Sequence, residues 1–509
     1  MRFYPIKSYL MLFASKEFLF FFLPLALLAF HGVRRIFNGK IAVNVLVVFS
    51  LLFYSWWKVE FLFLLMTSIS LNYVFLRLIL INSSKLIITI GLLFNLGLLA
   101  YFKYRNFFIE NIELLFLGSS NSHEAYGNII IPLGISFYTF QQIAMLVDAR
   151  DGAIKTPPTF LHFVQFITFF PQLIAGPIVL FKEVREQIEN LQKNQFDGLN
   201  MFGSGMAVFA VGLFKKVCLA DTIAPFADHA FDSHQIISTL EAWAGSVAYS
   251  LQLYFDFSGY SDMAVGLGLM FGVRLPFNFD APFRARNMTK FWKSWHLTMT
   301  RFFMMYVYSP IALRLGRYAQ YYLKNIILIF LLTILTPTLF TFLLSGLWHG
   351  AGWTFVMFGW VNGVALVLNN GWRMLKMPKL PFVISWSLTM LCVLISFIYF
   401  RSESIQAAHN FITAMFSIDH FFLPSWLELF AVEMGVPWKS LPVLSSGSYS
   451  VKFLVILVTL SLLSVAIPNV SKCYEELKPS WTLASAIAFM LIMSVGFLDR
   501  PKVFLYFQF

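Results

Sequence analysis

Apolar residues dominate the chain in long runs, and charged residues are confined to short stretches between them. A helix crosses the hydrocarbon core of a bilayer with about 20 residues, and many of these runs approach that length. Several runs are short or interrupted by proline and glycine, which is typical of segments that enter a membrane without crossing it. The pattern predicts an all-α polytopic membrane protein with about 11–14 membrane segments, some of them re-entrant. The apolar runs lie near residues 18–33, 41–57, 60–82, 86–103, 129–147, 160–181, 201–220, 242–255, 262–275, 302–315, 325–343, 346–369, 382–400, 452–468 and 481–498.

Two stretches are too polar to lie in the hydrocarbon core. Residues 182–198 predict an amphipathic surface helix, and residues 401–450, which mix aromatics, prolines and charges, predict an interfacial or extracytoplasmic region. Arg34, Arg35 and Lys40 follow the first apolar run. Because cytoplasmic loops are rich in Lys and Arg, the end of this run is expected in the cytoplasm and the N-terminus outside.

Composition supports the membrane location and changes the meaning of the charge. The 509 residues are 59% hydrophobic and only 12% charged, whereas a soluble domain carries roughly 25% charged residues. The net charge is +12, but the basic residues lie in short loops, as in cytoplasmic loops that face anionic lipid. We therefore expect the lipid bilayer as a partner and no nucleic acid. Residues 1–509 are expected to form a single integral membrane domain. Met11 is an alternative to Met1 as the natural first residue of the protein.

Two apolar segments begin or break at prolines. The segment 132–148 starts with a proline and carries two glutamines, and the segment 169–179 contains two prolines. Backbone groups freed at such breaks must face protein or a water-filled cavity, although simple helix kinks packed by neighbours are an alternative. The residues concerned are Pro132, Gln141, Gln142, Pro171 and Pro177.

Two acidic residues lie in the apolar segment 253–272. Asp256 and Tyr260 are four residues apart, as are Ser258 and Asp262, so on a helix each pair shares a face. Ionisable groups in an apolar stretch indicate a buried network or a functional pocket, and we favour a network that braces a site over direct chemistry. Three glycines permit close helix packing, namely Gly266, Gly268 and Gly272.

The stretch "LLSGLWHGAGWTF", residues 343–355, places His349 in one of the most apolar parts of the chain. Ser345 and Trp353 each lie four residues from it, so on a helix they share its face with the glycines beside it. The glycines at 346, 350 and 352 allow another backbone or a substrate to approach the ring. The alternative is a core histidine that hydrogen-bonds to a neighbouring helix.

A second histidine follows a cluster of basic residues. His296 lies four residues after Trp292 and four before Thr300. The basic residues just before it either anchor a cytoplasmic loop or form a rim that attracts a phosphate-bearing donor. The rim residues are Arg284, Arg286, Lys290 and Lys293.

The residue types favour direct transfer of an acyl group to an alcohol, without a covalent enzyme intermediate. A neutral imidazole in an apolar pocket is suited to take a proton from a hydroxyl. The sequence has no G-x-S-x-G motif, and its three cysteines, Cys218, Cys392 and Cys473, have neither a nucleophile motif nor metal-ligand spacing. No metal and no permanently bound cofactor are therefore expected. A proton-coupled transporter and a non-catalytic membrane scaffold are alternatives, and the absence of a visible internal repeat weighs against the transporter.

Motifs along almost the whole chain resemble the membrane-bound O-acyltransferase (MBOAT) family, and in particular its bacterial branch that includes the membrane component of alginate O-acetyltransferase. The resemblance is densest in "LQLYFDFSGYSDMAVGLGLMFG", "FNFDAPFRARNMTKFWKSWHLTMTRF" and "GLWHGAGWTFVMFGWVNG". It extends to "NLGLLAYFKYRNFF", "LGISFYTFQ", "FFPQLIAGPI" and "GLFKKVCLAD".

This resemblance implies a helical bundle around a central tunnel, in the cytoplasmic (inner) membrane of a bacterium. It implies that His349 is the active-site histidine and His296 the second polar residue of the site. The donor would be a cytoplasmic thioester, acetyl-CoA or an acyl carrier with phosphopantetheine. The acceptor would be an extracytoplasmic glycan, reached through a periplasmic or membrane-anchored acetyltransferase partner. The expected supporting network comprises Asp256, Ser258, Tyr260, Asp262, Trp348, Trp353 and Gln141.

The chain departs from this branch at one place. Relatives often carry a stretch similar to "RDYLYIPLGGNR" after His296, whereas residues 303–320 read "FMMYVYSPIALRLGRYAQ". The departure puts alginate itself in doubt as the acceptor. Peptidoglycan O-acetylation and D-alanylation of teichoic acid are the alternatives within the family.

Overall fold

The computed structural model describes residues 11–82, 84–118, 129–195, 198–232, 238–418, 433, 447–466, 480–498 and 505. Within these ranges the regular structure is helical. The helices are α1 (Leu23–Ile36), α2 (Gly39–Ser55), α3 (Val59–Ile81), α4 (Lys85–Leu99), α5 (Arg105–Leu117), α6 (Ile135–Arg150), α7 (Phe160–Thr168), α8 (Phe170–Leu173), α9 (Phe181–Gln192), α10 (Gly198–Phe214), α11 (Asp221–Asp232), α12 (Thr239–Met270), α13 (Met288–Trp292), α14 (Leu297–Phe303), α15 (Ser309–Tyr322), α16 (Ile326–Phe330), α17 (Thr336–His349), α18 (Trp353–Met374), α19 (Phe382–Arg401), α20 (Ile405–Phe416), α21 (Gly447–Ala466) and α22 (Trp481–Phe497).

Wide π-helical turns interrupt or extend several of these helices without breaking them. They cover Phe18–Phe22, Ala100–Tyr104, Lys215–Ala220, Met304–Tyr308 and Leu331–Leu335. The turn at Ala100–Tyr104 joins α4 and α5 into one span of 33 residues. Such turns concentrate at functional sites.

Five described helical spans are long and apolar enough to cross a membrane: Phe18–Ile36, Val59–Ile81, Lys85–Leu117, Ile326–His349 and Phe382–Arg401. Their surfaces carry large exposed apolar side chains, among them Phe21, Leu28 and Phe63, which is the surface that lipid requires. The predicted all-α polytopic membrane architecture is therefore confirmed.

Helix α12 forms the centre of the bundle. Every residue from 248 to 270 is buried, so the helix is surrounded by protein rather than lipid. The sequence pattern separates this region into apolar runs at 242–255 and 262–275, and this separation is wrong. The helix runs through the polar residues between them, where Asp256 is paired with Lys216 inside the protein.

Glycines bring α10 and α12 into backbone contact. A Cβ atom at Gly212 would lie 2.6 Å from the carbonyl oxygen of Gly259, and one at Gly266 would lie 2.6 Å from the amide nitrogen of Phe209. The expectation that Gly266 allows close helix packing is confirmed. Gly272 has a different role, because its φ of +82° turns the chain after α12.

The predicted breaks lie at the expected prolines. Pro132 precedes α6, Pro171 lies in the first turn of the short α8, and Pro177 lies between α8 and α9. The amphipathic surface helix is present as α9 but ends at Gln192, six residues earlier than predicted. Of the region 401–450, residues 419–432 and 434–446 lie outside the described residues.

We predict that packing between α17 and α18 depends on Gly359. A Cβ atom there would lie 2.3 Å from the carbonyl oxygen of Phe342, so Gly359→Ala forces two backbones apart and should cost about 1–3 kcal/mol. The measurement is thermal unfolding of the purified protein in detergent. Gly371→Ala, in the same helix, is the matched control, because its nearest neighbour would be a side-chain atom of Phe330 at 3.4 Å. Equal midpoints for the two variants would contradict the prediction.

Candidate active site

The structure places the two candidate histidines beside the same indole ring. His349 is the last residue of α17, and His296 immediately precedes α14. The ring centroid of Trp348 lies 4.9 Å from that of His349 and 6.1 Å from that of His296. Both histidines are buried, His296 completely. Two imidazoles from distant parts of the sequence therefore share one enclosed site.

His296 lies at a break between two short helices. Its φ of 43° and ψ of 56° fall in the left-handed region, which costs a residue with a side chain about 1–3 kcal/mol and concentrates at functional sites. His296 does not lie on one continuous helix with Trp292, because α13 ends at Trp292 and α14 begins at Leu297. The ring of His296 lies fully buried at this break.

Asn278 determines which nitrogen of His296 carries the proton in the neutral ring. The side-chain oxygen of Asn278 accepts hydrogen bonds from the backbone N–H of Thr298 at 3.2 Å and from the Thr298 hydroxyl at 2.7 Å. A backbone N–H can only donate, so this atom is the amide oxygen. Nδ1 of His296 lies 3.3 Å from the same oxygen and is therefore the donor. The acceptor lone pair of the neutral ring is then on Nε2.

His349 is enclosed by aromatic rings. Its ring centroid lies 5.2 Å from that of Phe400 and 5.6 Å from that of Phe358, both edge-on. Trp348 is in turn held by α6, where Phe140 stacks on it at 5.2 Å and Phe137 packs edge-on at 5.6 Å. Helices α6, α18 and α19 thus fix the aromatic walls around the ring.

The glycines beside His349 serve helix packing and chain reversal. A Cβ atom at Gly346 would lie 2.2 Å from the carbonyl oxygen of Phe355, and one at Gly350 would overlap the Phe355 ring. The expectation that Trp353 shares a helical face with His349 is wrong, because α17 ends at His349 and Trp353 begins α18. The Trp353 side chain is half exposed, and its indole N–H donates to Asn111 at 2.8 Å. It is not brought to the histidines.

The two acids of α12 are paired with two adjacent lysines. Lys215 Nζ lies 2.7 Å from the Asp262 carboxylate, and Lys216 contacts both Asp256 and, at 2.8 Å, Asp221. The second oxygen of Asp256 accepts a hydrogen bond from the backbone N–H of Leu505 at 2.9 Å. These carboxylates belong to an internal ion-pair network on α12. Phe257, which follows Asp256, packs edge-on against His296 with ring centroids 4.7 Å apart.

The remaining members of the expected network lie in different surroundings. Tyr260 stacks on Phe13 with centroids 4.7 Å apart, and Ser258 is buried in α12. Gln141 is buried in α6, where its side-chain oxygen has no hydrogen-bond partner within the described part of the chain. The neighbouring Gln142 makes the polar contacts instead, accepting from Ser68, which donates at 2.9 Å, and from Asn72.

The four rim residues are exposed but differ in their contacts. Arg284 donates to the carbonyl oxygens of Val465 and Ala466 at the end of α21. The Arg286 guanidinium lies 4.4 Å from the ring centroid of Phe382. Both arginines therefore fasten neighbouring helices, which leaves Lys290 and Lys293 as the residues of the set that extend from the surface in the described structure.

Sequence reasoning missed several residues of this region. Asn278 lies within the quoted "FNFDAPF" motif, and Lys215 and Lys216 lie within "GLFKKVCLAD". Two lysines in an apolar run are a usable signal, because a buried charge needs a partner. Among the described residues no group of three His, Cys, Asp or Glu side chains could hold a metal ion.

Comparison with known proteins identifies the family. The model of the membrane-bound O-acyltransferase family matches residues 148–402, which include both histidines. The chain is 33% identical to the peptidoglycan O-acetyltransferase of Helicobacter pylori over 99% of its length and 98% of the relative's. It is 35% identical to the probable alginate O-acetylase of Azotobacter vinelandii over 80% and 78%, and 28% identical to the teichoic acid D-alanyltransferase of Streptococcus thermophilus over 53% and 64%. The chain belongs to the membrane-bound O-acyltransferase family and is an acyltransferase.

We predict that the Lys215–Asp262 pair behaves as a buried ion pair. Lys215→Met leaves the Asp262 carboxylate without its cation and should cost about 3–5 kcal/mol. The double variant Lys215→Met with Asp262→Leu removes both charges and should recover most of that loss. Thermal unfolding in detergent measures both. A double variant that is no more stable than the single one would contradict a pairwise interaction.

Proposed function

We propose that this protein transfers an acetyl group from a cytoplasmic thioester to hydroxyl groups of an extracytoplasmic polysaccharide, with His349 as the general base. The observation that carries the proposal is the pair of buried imidazoles beside the indole of Trp348. The acids that could otherwise act as bases, Asp256 and Asp262, are engaged with lysines. A carboxylate occupied by an ammonium group is less accessible to a substrate hydroxyl, so the histidines are the better candidates for the base.

The proposed step is a direct displacement. The acceptor hydroxyl oxygen attacks the thioester carbonyl carbon as His349 takes the hydroxyl proton. A carbon–oxygen bond forms, the carbon–sulfur bond breaks, and the proton passes from the imidazole to the departing thiolate. The donor, acetyl-CoA or an acyl carrier with phosphopantetheine, is a co-substrate. The aromatic enclosure of His349 supports this role, since a neutral ring is the form that can accept a proton.

His296 is proposed to orient the acceptor. Its Nδ1–H donates to Asn278, so the neutral ring offers Nε2 as an acceptor. A hydroxyl that donates to this nitrogen would be held near the indole of Trp348, and the left-handed backbone of His296 holds the ring on that side. With Nε2 as an acceptor, the neutral ring suits the orientation of a hydroxyl. It does not suit the polarisation of a carbonyl, because a carbonyl oxygen needs a hydrogen-bond donor.

The proposed acceptor is the glycan of peptidoglycan. The peptidoglycan O-acetyltransferase of H. pylori aligns with 99% of this chain and 98% of its own length. The alginate O-acetylases align over about four fifths of the chain with slightly higher identity, so an alginate-like polysaccharide is the second candidate. The D-alanyltransferases align over about half of the chain, and this weaker match favours acetyl over D-alanyl as the group transferred.

The proposed setting is the cytoplasmic membrane of a bacterium. The donor would approach from the cytoplasm and the acceptor from outside, and a periplasmic or membrane-anchored acetyltransferase partner would complete delivery to the polymer. Native membrane vesicles are therefore the appropriate test system, because they retain such a partner.

We predict that His349→Gln abolishes acetyl transfer. Glutamine can hydrogen-bond but cannot take the proton, and general-base help is worth about 10²–10⁴ in rate. His296→Ala should lower the rate and leave residual activity. The assay follows label from acetyl-CoA, or from an acetylated carrier protein, into base-labile esters of peptidoglycan and of alginate.

The controls separate catalysis from folding and from rival functions. His409→Gln changes an exposed histidine in α20 and should retain full activity, and thermal stability is followed for every variant. Near-normal turnover of His349→Gln would refute the base role. Activity in both histidine variants would favour a scaffold, and solute movement without ester product would favour a transporter.

We predict that Lys290 and Lys293 attract the anionic donor. Replacing both by Gln should raise KM for acetyl-CoA more at low salt than at high salt, because exposed charges are screened by ions. Lys16→Gln with Lys58→Gln is the matched control. Lys16 precedes α1 and Lys58 follows α2, so both lie at the ends of these helices that are opposite to the Arg34–Asn194 contact. A KM change that is independent of salt would indicate a packing role.

A further inference from the structure

The helix that carries His349 ends inside the protein. Helix α17 stops at His349, and Gly350 is extended with φ −162° and ψ 154°. The last carbonyl groups of any helix have no amide in a following turn to bind. Trp348, His349 and Gly350 are buried, so these oxygens need partners from elsewhere in the protein.

Two neighbouring side chains supply those partners. The Tyr104 hydroxyl donates to the carbonyl oxygen of Leu347 at 2.8 Å. The Lys103 ammonium donates to the carbonyl oxygen of Trp348 and, at 3.0 Å, to that of His349. Three consecutive carbonyls in the final turn of α17 are thus bound by one dipeptide, which lies about 245 residues earlier in the chain.

The location and chemistry of this contact suit an interaction that fixes geometry. Lys103 and Tyr104 end the π-helical turn Ala100–Tyr104, inside the span Lys85–Leu117, and such turns occur often at functional sites. The ammonium lies at the negative end of the α17 dipole, where a positive charge is favourable. Hydrogen bonds from a charged donor are stronger than neutral ones.

We infer that Lys103 and Tyr104 are positioning residues for the His349 imidazole. They hold the last turn of α17, from which the rings of both Trp348 and His349 project, so they set the position of His349 relative to His296. The Lys103 ammonium also lies 6.0 Å from the Trp348 ring centroid, which restrains the same indole. This inference rests on the proposed role of His349 and adds a second element, the α4–α5 span, to the site.

The test compares variants that remove donors without changing shape. Tyr104→Phe removes one hydroxyl and should lower kcat about fivefold, and Lys103→Met should lower it about 10- to 100-fold, because a charged donor is lost. KM for acetyl-CoA should stay within about twofold, since donor binding is not the step affected. Activity is normalised to the folded fraction measured by size-exclusion chromatography.

Matched controls are available in the same span. Tyr101→Phe changes a half-exposed tyrosine of the same π-helical turn. Lys85→Met removes an exposed lysine at the start of the span Lys85–Leu117. Both should retain wild-type kcat. His349→Gln is measured in parallel, so that failure of the base role is seen separately.

Each outcome decides the inference. A loss of kcat with unchanged KM in Lys103→Met and Tyr104→Phe, and not in the controls, supports it. It is overturned if both variants keep kcat within twofold of wild type, or if their losses disappear after normalisation to folded protein, which would indicate a role in stability alone. If His349→Gln is active, the proposed function fails, whatever the other variants do.

Discussion

Carbonyl groups and charges that lack water in an apolar helical bundle must find partners in the protein, because each unpaired group costs free energy comparable to a whole domain's margin of stability. Two features of this structure follow directly. The acids of α12 are joined to Lys215 and Lys216, and the open end of α17 is joined to Lys103 and Tyr104. Each joins segments that are separated in the sequence, and the second holds the turn of α17 that carries His349.

This pairing also distributes the chemistry. Carboxylates that neutralise lysines are occupied, which makes the imidazoles the better candidates for contact with a substrate hydroxyl. The same helix α12 that carries the ion pairs presents Phe257 to His296, so stability and site geometry are coupled through one element. The strained backbone of His296 is tolerated because Asn278, Thr298 and the rings around it hold the loop in place.

Sequence and structure agree most closely where the pattern depends on the solvent. Runs of about 20 apolar residues can only be stable as helices in lipid, so the class of fold followed from hydropathy. The breaks at Pro132, Pro171 and Pro177 followed from the missing amide of proline. The motifs around His349 and His296 led to the correct family. The prediction that assumed continuous helical spacing between His349 and Trp353 was wrong, because α17 ends at His349.

The sequence by itself therefore determined an all-α membrane acyltransferase with His349 and His296 as the residues of interest. Only the tertiary structure decided which groups meet: that both rings lie beside Trp348, that Asn278 binds His296, and that Lys103 and Tyr104 close the end of α17. The physical reason is that hydropathy and local backbone preferences act on neighbours in the chain, whereas a buried donor is satisfied by whichever acceptor the packed helices bring within about 3 Å. A spacing of 245 residues leaves no local signal of such a contact.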